Sequence, residues 1–173
     1  LQKNIDLLKS DFQFDLSKKK NIYVLGGGEA VYPVAKALEE ILQEKIKEGL
    51  IVVKEGHQGI LEKIKIRKAA HPMPDQAGFN AAREIKTIAE KAQEEDMVFW
   101  INTGGISSLA PLPVTSIPLD EKKYIHQLLL SSGANIKEIN TVRSHLSDIK
   151  GGKLALSIFP AGIINLIVSD NPG

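Results

Sequence analysis

The stretch that decides the fold is residues 21–28, NIYVLGGG, in which a short β-rich run ends on three consecutive glycines. Apolar residues then recur at three-and-four spacing over 29–45, as they do on the buried face of an amphipathic helix. Pro33 fits this pattern only in the first helical turn, so we expect the helix to begin directly after the glycines. A strand, a glycine turn and a helix in this order are typical of an α/β fold.

The rest of the chain repeats the alternation of strand and helix. Apolar runs without a strict period of two are typical of strands that are buried on both faces of a parallel sheet. We therefore predict an α/β fold, with a Rossmann-like three-layer domain built on a mainly parallel sheet and spanning residues 1–173. The predicted strands are 21–25, 51–53, 64–69, 97–101 and 163–168. The predicted helices are 29–45 (ended by Gly49), 76–94 (capped by Asp75), a helix capped by Asp120 and ending at 130, 135–146, and a short stretch after Gly152.

Composition and charge exclude several classes of protein. The 173 residues carry 22 Lys plus Arg against 21 Asp plus Glu, and a net charge of +1 argues against binding to nucleic acid through bulk charge alone. The chain has no cysteine, which excludes disulfides, thiolate metal sites and cysteine nucleophiles. No apolar run reaches membrane-spanning length. We therefore expect a cytoplasmic protein that binds neither nucleic acid nor a membrane.

Two glycine-bearing turns follow predicted strands and are candidate anion sites. Unpaired amides at the start of a helix, together with the helix dipole, favour the binding of phosphate or carboxylate. Ligands of α/β sheets bind beyond the carboxyl ends of strands, so both turns can face one ligand. The alternative is that each turn only connects a strand to a helix and binds nothing. The candidate binding residues are Gly26, Gly27 and Gly28 in the first turn and Asn102, Thr103, Gly104, Gly105 and Ser107 in the second.

Arg143 lies in a third candidate segment, residues 140–153, NTVRSHLSDIKGGK. It is one of few arginines in a chain that otherwise uses lysine, which suggests bidentate binding of a carboxylate or a phosphate. The alternative, which composition alone favours, is a solvated helix face with weak surface ion pairs. The histidines do not pair at the spacing of a zinc motif, and we expect His126 to lie on a helix surface.

The order of the motifs resembles the N-terminal domain of the glycerate 2-kinase family, whose members are also labelled hydroxypyruvate reductase. The resemblance runs from about Ile22 to Asp170 and implies a Rossmann-like domain followed by a second, C-terminal domain. The active site is then expected in the cleft between the two domains. The segments that carry the resemblance are 24–28 (VLGGG), 52–57 (VVKEGH), 71–78 (HPMPDQAG), 140–147 (NTVRSHLS) and 149–155 (IKGGKLA).

This resemblance implies transfer of phosphate from ATP to the 2-hydroxyl of glycerate, with Mg²⁺, giving 2-phosphoglycerate. We place Lys150 and Asp170 beside Arg143 among the candidate substrate- or nucleotide-binding residues and assign no catalytic residue and no metal ligand. The expected partners are a small hydroxy acid such as glycerate and the C-terminal domain, without which the chain is expected to be inactive. Assembly into a homo-oligomer is left open.

Two positions depart from the family pattern. Glu29 stands where the family typically has a lysine after the first glycine turn, which reverses the local charge beside a phosphate site. Ile106 replaces a glycine of the second turn, and a β-branched residue resists positive φ. One alternative is therefore a relative that binds a small anion or a nucleotide without kinase activity. A structural or assembly role is another.

Overall fold

Five parallel strands form one sheet in the computed structural model, which describes residues 15–168. The strands are β1 (Ile22–Gly27), β2 (Ile46–Lys54), β3 (Ile64–Ala69), β4 (Met97–Thr103) and β5 (Gly162–Val168), and their order across the sheet is β3-β2-β1-β4-β5. The helices are α1 (Val31–Leu42), α2 (Gln76–Ala89), α3 (Ile106–Leu109), α4 (Leu119–Ser131), α5 (Ile136–His145) and α6 (Lys153–Ile158). Short 3₁₀ turns cover Leu16–Lys18 and Gln43–Lys45. The predicted α/β class with a parallel sheet is confirmed.

Apolar side chains pack on both faces of the sheet, so that helices and sheet form three layers. On one face, α1 buries Val34 and Leu38 against β1, β2 and β4. On the other face, α2 buries Ile85 and α6 buries Ile158. β1 is buried along its whole length, which explains its continuous apolar run. The predicted three-layer arrangement is confirmed.

The first helix begins at Val31, two residues after its predicted start at 29, and it also ends earlier than predicted. Pro33 lies in the first turn of α1, but this helix ends at Leu42. The prediction that Gly49 ends it is wrong, because Gly49 lies inside β2. A Cβ atom at Gly49 would lie 2.8 Å from Cγ1 of Ile64 and 3.0 Å from the carbonyl oxygen of Val24. Glycine is needed here for the close approach of neighbouring strands.

The helix caps follow the sequence in part. The Asp75 carboxylate accepts a hydrogen bond from the Gly78 amide at 2.8 Å, which confirms the predicted cap of α2. Asn135 caps α5 in a capping box, so this helix begins within one residue of its predicted start at 135. Asp120 is not a cap, because α4 begins one residue before it and Asp120 lies in the first turn. None of the helices described here is both long and apolar enough to cross a membrane.

Candidate functional site

A cavity of about 680 Å³ lies beside the carboxyl end of β4. Its walls come from β4 and the turn after it, from α5, from residues 149–155 and from β5, with His71 and Pro72 at one side. Among the described residues, no aspartate or glutamate lines this cavity. The predicted site residues on its walls are Asn102, Thr103, Gly104, Gly105, Ser107, Arg143 and Lys150. Asp170, another candidate, lies outside the described residues.

The turn after β4 brings its backbone to the cavity without strain at Ile106. The positive φ of this turn, +83°, falls on Gly105. Ile106 begins α3, is only 6% exposed and packs into the core. The expected conflict between a β-branched side chain and a positive φ therefore does not arise.

The first glycine turn, residues 26–28, packs against the second turn and does not line the cavity. The Glu29 amide donates to the carbonyl oxygen of Gly104 at 2.8 Å. Gly28 has a φ of +123°, and a Cβ atom there would lie 2.0 Å from Oγ1 of Thr103. The two turns are neighbours, as their position at the ends of adjacent strands requires. Anion binding at residues 26–28 stays a prediction, and the Glu29 amide already has a protein acceptor.

The Glu29 side chain contacts His71. Its Oε1 atom is 3.3 Å from Nδ1 of His71 and 3.8 Å from Nζ of Lys54. His71 lines the cavity, whereas Glu29 does not. The negative charge that departs from the family pattern therefore lies beside His71 and Lys54, and Glu29 itself does not line the cavity.

One wall of the cavity gathers basic side chains. Lys122, His126, Arg143 and Lys150, hereafter the cationic wall, all border a smaller space of roughly 20 Å³ together with Ser107. Of these four, His126, Arg143 and Lys150 also line the cavity beside β4, whereas Lys122 does not. Nη2 of Arg143 lies 3.1 Å from Nδ1 and 3.2 Å from Nε2 of His126. Nζ of Lys150 donates to Oγ of Ser107. Within residues 15–168, no carboxylate forms an ion pair with any member of the cationic wall.

Burial and mutual repulsion disfavour the charged forms of these side chains. Burial, and then the charges of Lys122 and Arg143, lowers the pKa of Lys150 to about 8. Burial, and then the charge of Lys153, lowers the pKa of Lys122 to about 8. The pKa of His126 is lowered by burial first and by the neighbouring cations second. A neutral His126 presents an unprotonated nitrogen, which can accept a hydrogen bond from Arg143.

Arg143 has unused hydrogen-bonding capacity inside the protein. Its Nε atom is buried and has no partner among the described residues. Leaving a buried donor unsatisfied typically costs about 1–3 kcal/mol. By contrast, Arg67 donates through Nε and Nη2 to both carboxylate oxygens of Glu84, at 2.9 and 3.1 Å. Arg143 therefore does not lie on a solvated face with surface ion pairs, which was the alternative that composition favoured.

The sequence does not predict two members of the cationic wall, His126 and Lys122. The prediction that His126 lies on a helix surface is wrong, since it is 8% exposed. Lys122 carries no motif. The two are four residues apart and so share one face of α4. However, His126 is the only buried residue of α4. The helix therefore has no buried apolar stripe, and its sequence gives no pattern that predicts which face is buried.

The magnesium ion that the resemblance implies stays a prediction. Within residues 15–168, no group of three or more His, Asp or Glu side chains is placed to hold a metal ion. Mg²⁺ is usually held by carboxylate and phosphate oxygens, and no described carboxylate lines the cavity.

Comparison with known sequences decides the family. The domain family described as "Domain of unknown function (DUF4147)" matches residues 1–173. The chain belongs to the DUF4147 family. This DUF4147 chain is 39% identical over 150 residues to the D-glycerate 2-kinase of Thermotoga maritima, a match that covers 86% of the chain and 36% of that relative. It is 44% identical over 155 residues to a glycerate 2-kinase of Pyrococcus horikoshii, covering 90% of the chain and 34% of the relative.

Solved structures agree with the sequence match. A crystal structure of glycerate kinase from Thermotoga maritima superposes on the DUF4147 chain with a TM-score of 0.82 and 38% identity, covering 96% of this chain and 40% of that one. The chain spans about a third of the length of the curated relatives it matches. The resemblance to the glycerate 2-kinase family is thus confirmed.

Proposed function

We propose that this chain supplies the substrate-binding cavity of a glycerate 2-kinase-like phosphotransferase. The observation that carries the proposal is the cavity beside β4, where Arg143, Lys150 and Ser107 meet and no described carboxylate is present. Glycerate and its phosphate ester are both anions, which such a wall attracts. The names of the relatives, D-glycerate 2-kinase and glycerate 2-kinase, support the same reaction.

Phosphoryl transfer requires that the enzyme positions the substrates and stabilises negative charge, and it does not require a covalent nucleophile. Arg143 and Lys150 would hold the anionic part of the substrate, and the turn at Gly104 and Gly105 would let the substrate approach the backbone. ATP and Mg²⁺ belong to this proposal through the resemblance alone. When bound, Mg²⁺ would neutralise charge on phosphoryl oxygens.

The same proposal includes a partner domain. The curated relatives are about two and a half times as long as this chain, and the resemblance places the active site between two domains. We propose that this chain alone does not phosphorylate glycerate and needs a C-terminal domain to close the cavity. A cytoplasmic location and a small hydroxy acid as substrate are part of this proposal.

A chimera tests the proposed function. This chain replaces the matching segment of the Thermotoga maritima D-glycerate 2-kinase, and transfer of phosphate from ATP to glycerate is measured. We expect activity in the chimera, a loss in Arg143→Ala and little change in Arg67→Ala, which removes an arginine that is paired with Glu84 away from the cavity. A chimera that unfolds cooperatively but does not phosphorylate glycerate would contradict the proposal.

A further inference from the structure

We propose that Ser107 and Lys150 form a pair of nucleophile and base that hydrolyses small acyl esters in the cavity beside β4. This activity is independent of the proposed phosphoryl transfer, although both would use the same cavity. Three features of the structure support it, namely the contact between the two side chains, the electrostatic surroundings of the lysine and the access to the serine.

Ser107 and Lys150 are in contact although they are 43 residues apart in the chain. Nζ of Lys150 donates a hydrogen bond to Oγ of Ser107. Ser107 lies in α3 and Lys150 precedes α6, so the fold brings the two side chains together. A serine hydroxyl is a weak nucleophile until a base beside it accepts its proton, and a neutral lysine amine can be that base.

The surroundings of Lys150 favour its neutral form. Burial, and then the charges of Lys122 and Arg143, lower the pKa of Lys150 to about 8, against an ordinary value of 10.5. The titratable groups that border the same small space are Lys122, His126 and Arg143, and no described carboxylate borders it. Roughly a tenth of the molecules therefore carry a neutral Lys150 at pH 7, far more than for an ordinary lysine.

The hydroxyl of Ser107 is open to a substrate. Ser107 lines the cavity of about 680 Å³, which is large enough for a small ester. Gly104 and Gly105 also line the cavity and have no side chain that would cover the serine. Arg143 borders the small space together with Ser107 and Lys150, and its buried Nε has no partner among the described residues. A guanidinium there would stabilise the negative oxygen that forms at the ester carbonyl.

The reaction has two steps, with water as the only co-reactant. In the first, the amine of Lys150 takes the proton of Ser107, Oγ bonds to the carbonyl carbon, and the bond from that carbon to the alcohol oxygen breaks. The alcohol leaves with the proton that Lys150 held, which gives an acyl ester of Ser107. In the second, Lys150 takes a proton from water, the hydroxide adds to the acyl carbon, and Oγ leaves with that proton as the acid is released. Nothing is oxidised or reduced.

The test incubates the 173-residue chain with p-nitrophenyl acetate and measures the release of p-nitrophenol. The rate above the uncatalysed background should rise with pH through about 8 and then level off, because Lys150 loses its proton over this range. Mass spectrometry of acid-quenched samples should find acetyl on Ser107 as an ester that hydroxylamine removes. Acetyl on Lys150 as a stable amide, with none on Ser107, would overturn the proposal.

Two changes at the lysine separate a base from a positioning group. Ser107→Ala and Lys150→Met should each lower the rate above background at least about 100-fold. Lys150→Arg keeps the positive charge and the N–H donors but cannot lose its proton near neutral pH, so we expect the same loss. Full activity in Lys150→Arg would show that the lysine only positions the serine, and it would overturn the proposal, as would full activity in Ser107→Ala.

Matched variants show that the losses are local. Ser144→Ala changes another serine that lines the cavity, and Lys86→Met removes a lysine that is paired with Asp148 outside it. Both should hydrolyse the ester as the unchanged chain does, and cooperative urea unfolding checks that every variant is folded. Ester hydrolysis together with an inactive chimera would contradict the proposed function alone, whereas an active chimera from a chain that hydrolyses no ester would overturn this proposal alone.

Discussion

Basic residues at the β2–β3 side of the sheet and those of the cationic wall have opposite electrostatic surroundings. At the β2–β3 side, Nζ of Lys91 lies 2.8 Å from the Glu48 carboxylate, and the hydrogen bond to Glu48 raises the pKa of Lys91. In the cationic wall, burial and neighbouring cations lower the pKa of Lys150 to about 8. Within residues 15–168, a lysine is therefore paired with a carboxylate on one side of the sheet, whereas Lys150 has no carboxylate partner.

This difference implies a loss of folding stability at the cavity. Gathering half-buried cations without carboxylates destabilises the folded state, because each group loses hydration and repels the others. The paired cations near β3 carry no such penalty. A charge arrangement that lowers stability and borders a cavity indicates a binding role rather than a structural one.

The largest predicted effect is a difference in folding stability between a core variant and a variant of the cationic wall. Leu38→Ala removes a fully buried side chain of α1 and should lower the free energy of unfolding by about 2–5 kcal/mol. Arg143→Ala should lower it far less, because it also removes a desolvated charge. Urea unfolding and phosphate titration of both variants check this. An equal loss of stability in the two variants would contradict the assignment of Arg143 to binding.

Replacing the lysine of the wall should raise stability. Lys150→Met removes a buried cation that faces Lys122 and Arg143, and we expect a gain of about 1–3 kcal/mol in the free energy of unfolding at pH 7. The matched variant Lys86→Met removes a lysine 2.5 Å from the Asp148 carboxylate and should lose up to about 1 kcal/mol. Chemical denaturation of the two variants measures both changes in the free energy of unfolding. A loss of stability in Lys150→Met would contradict the difference between the two sides of the sheet.

The stability gain of Lys150→Met should depend on pH. Lys150 has a pKa of about 8 in the folded chain against an ordinary value of 10.5, so the unfolded chain binds more protons between these two values. The penalty of Lys150 is therefore fully present below pH 8 and fades as the pH rises towards 10.5. The difference in unfolding free energy between the unchanged chain and Lys150→Met should shrink over this range, and a constant difference would show that the lysine titrates normally.

The smallest effect is expected at the first glycine turn. Glu29→Lys should change phosphate affinity less than about fivefold, because the Glu29 carboxylate lies near His71 and Lys54 and does not line the cavity. Calorimetric titration with inorganic phosphate measures it. A large gain in affinity would instead show that residues 26–28 form an anion site, as the sequence pattern alone suggests.

The sequence predicts the fold well because its local signals agree. The strand in 21–28, the Asp75 cap and the helix start near 135 each depend on neighbouring residues only, and each is found within about one residue of its predicted place. Gly49 misleads because a glycine that admits a neighbouring strand looks like one that ends a helix. Which of the two applies depends on residues distant in the chain.

The candidate site is predicted only in part. Arg143, Lys150 and the turn after β4 stand out through motifs, and all of them reach the cavity. Lys122 and His126 join them only because α4 packs beside α5, a contact between two weakly apolar helices that no local pattern records. The charge balance of the wall is a property of the folded chain and could not be read from a net charge of +1.

Thermal unfolding with and without phosphate tests the central claim, that the cationic wall binds an anion, most directly. The measurement compares inorganic phosphate with sodium chloride at equal ionic strength, in the unchanged chain, Arg143→Ala and Arg67→Ala. A ligand at about 100 times its Kd adds roughly 2.7 kcal/mol to the free energy of unfolding. We predict that phosphate raises the melting temperature of the unchanged chain and of Arg67→Ala but not of Arg143→Ala. An equal rise in all three proteins, or no rise beyond that in sodium chloride, would contradict the account.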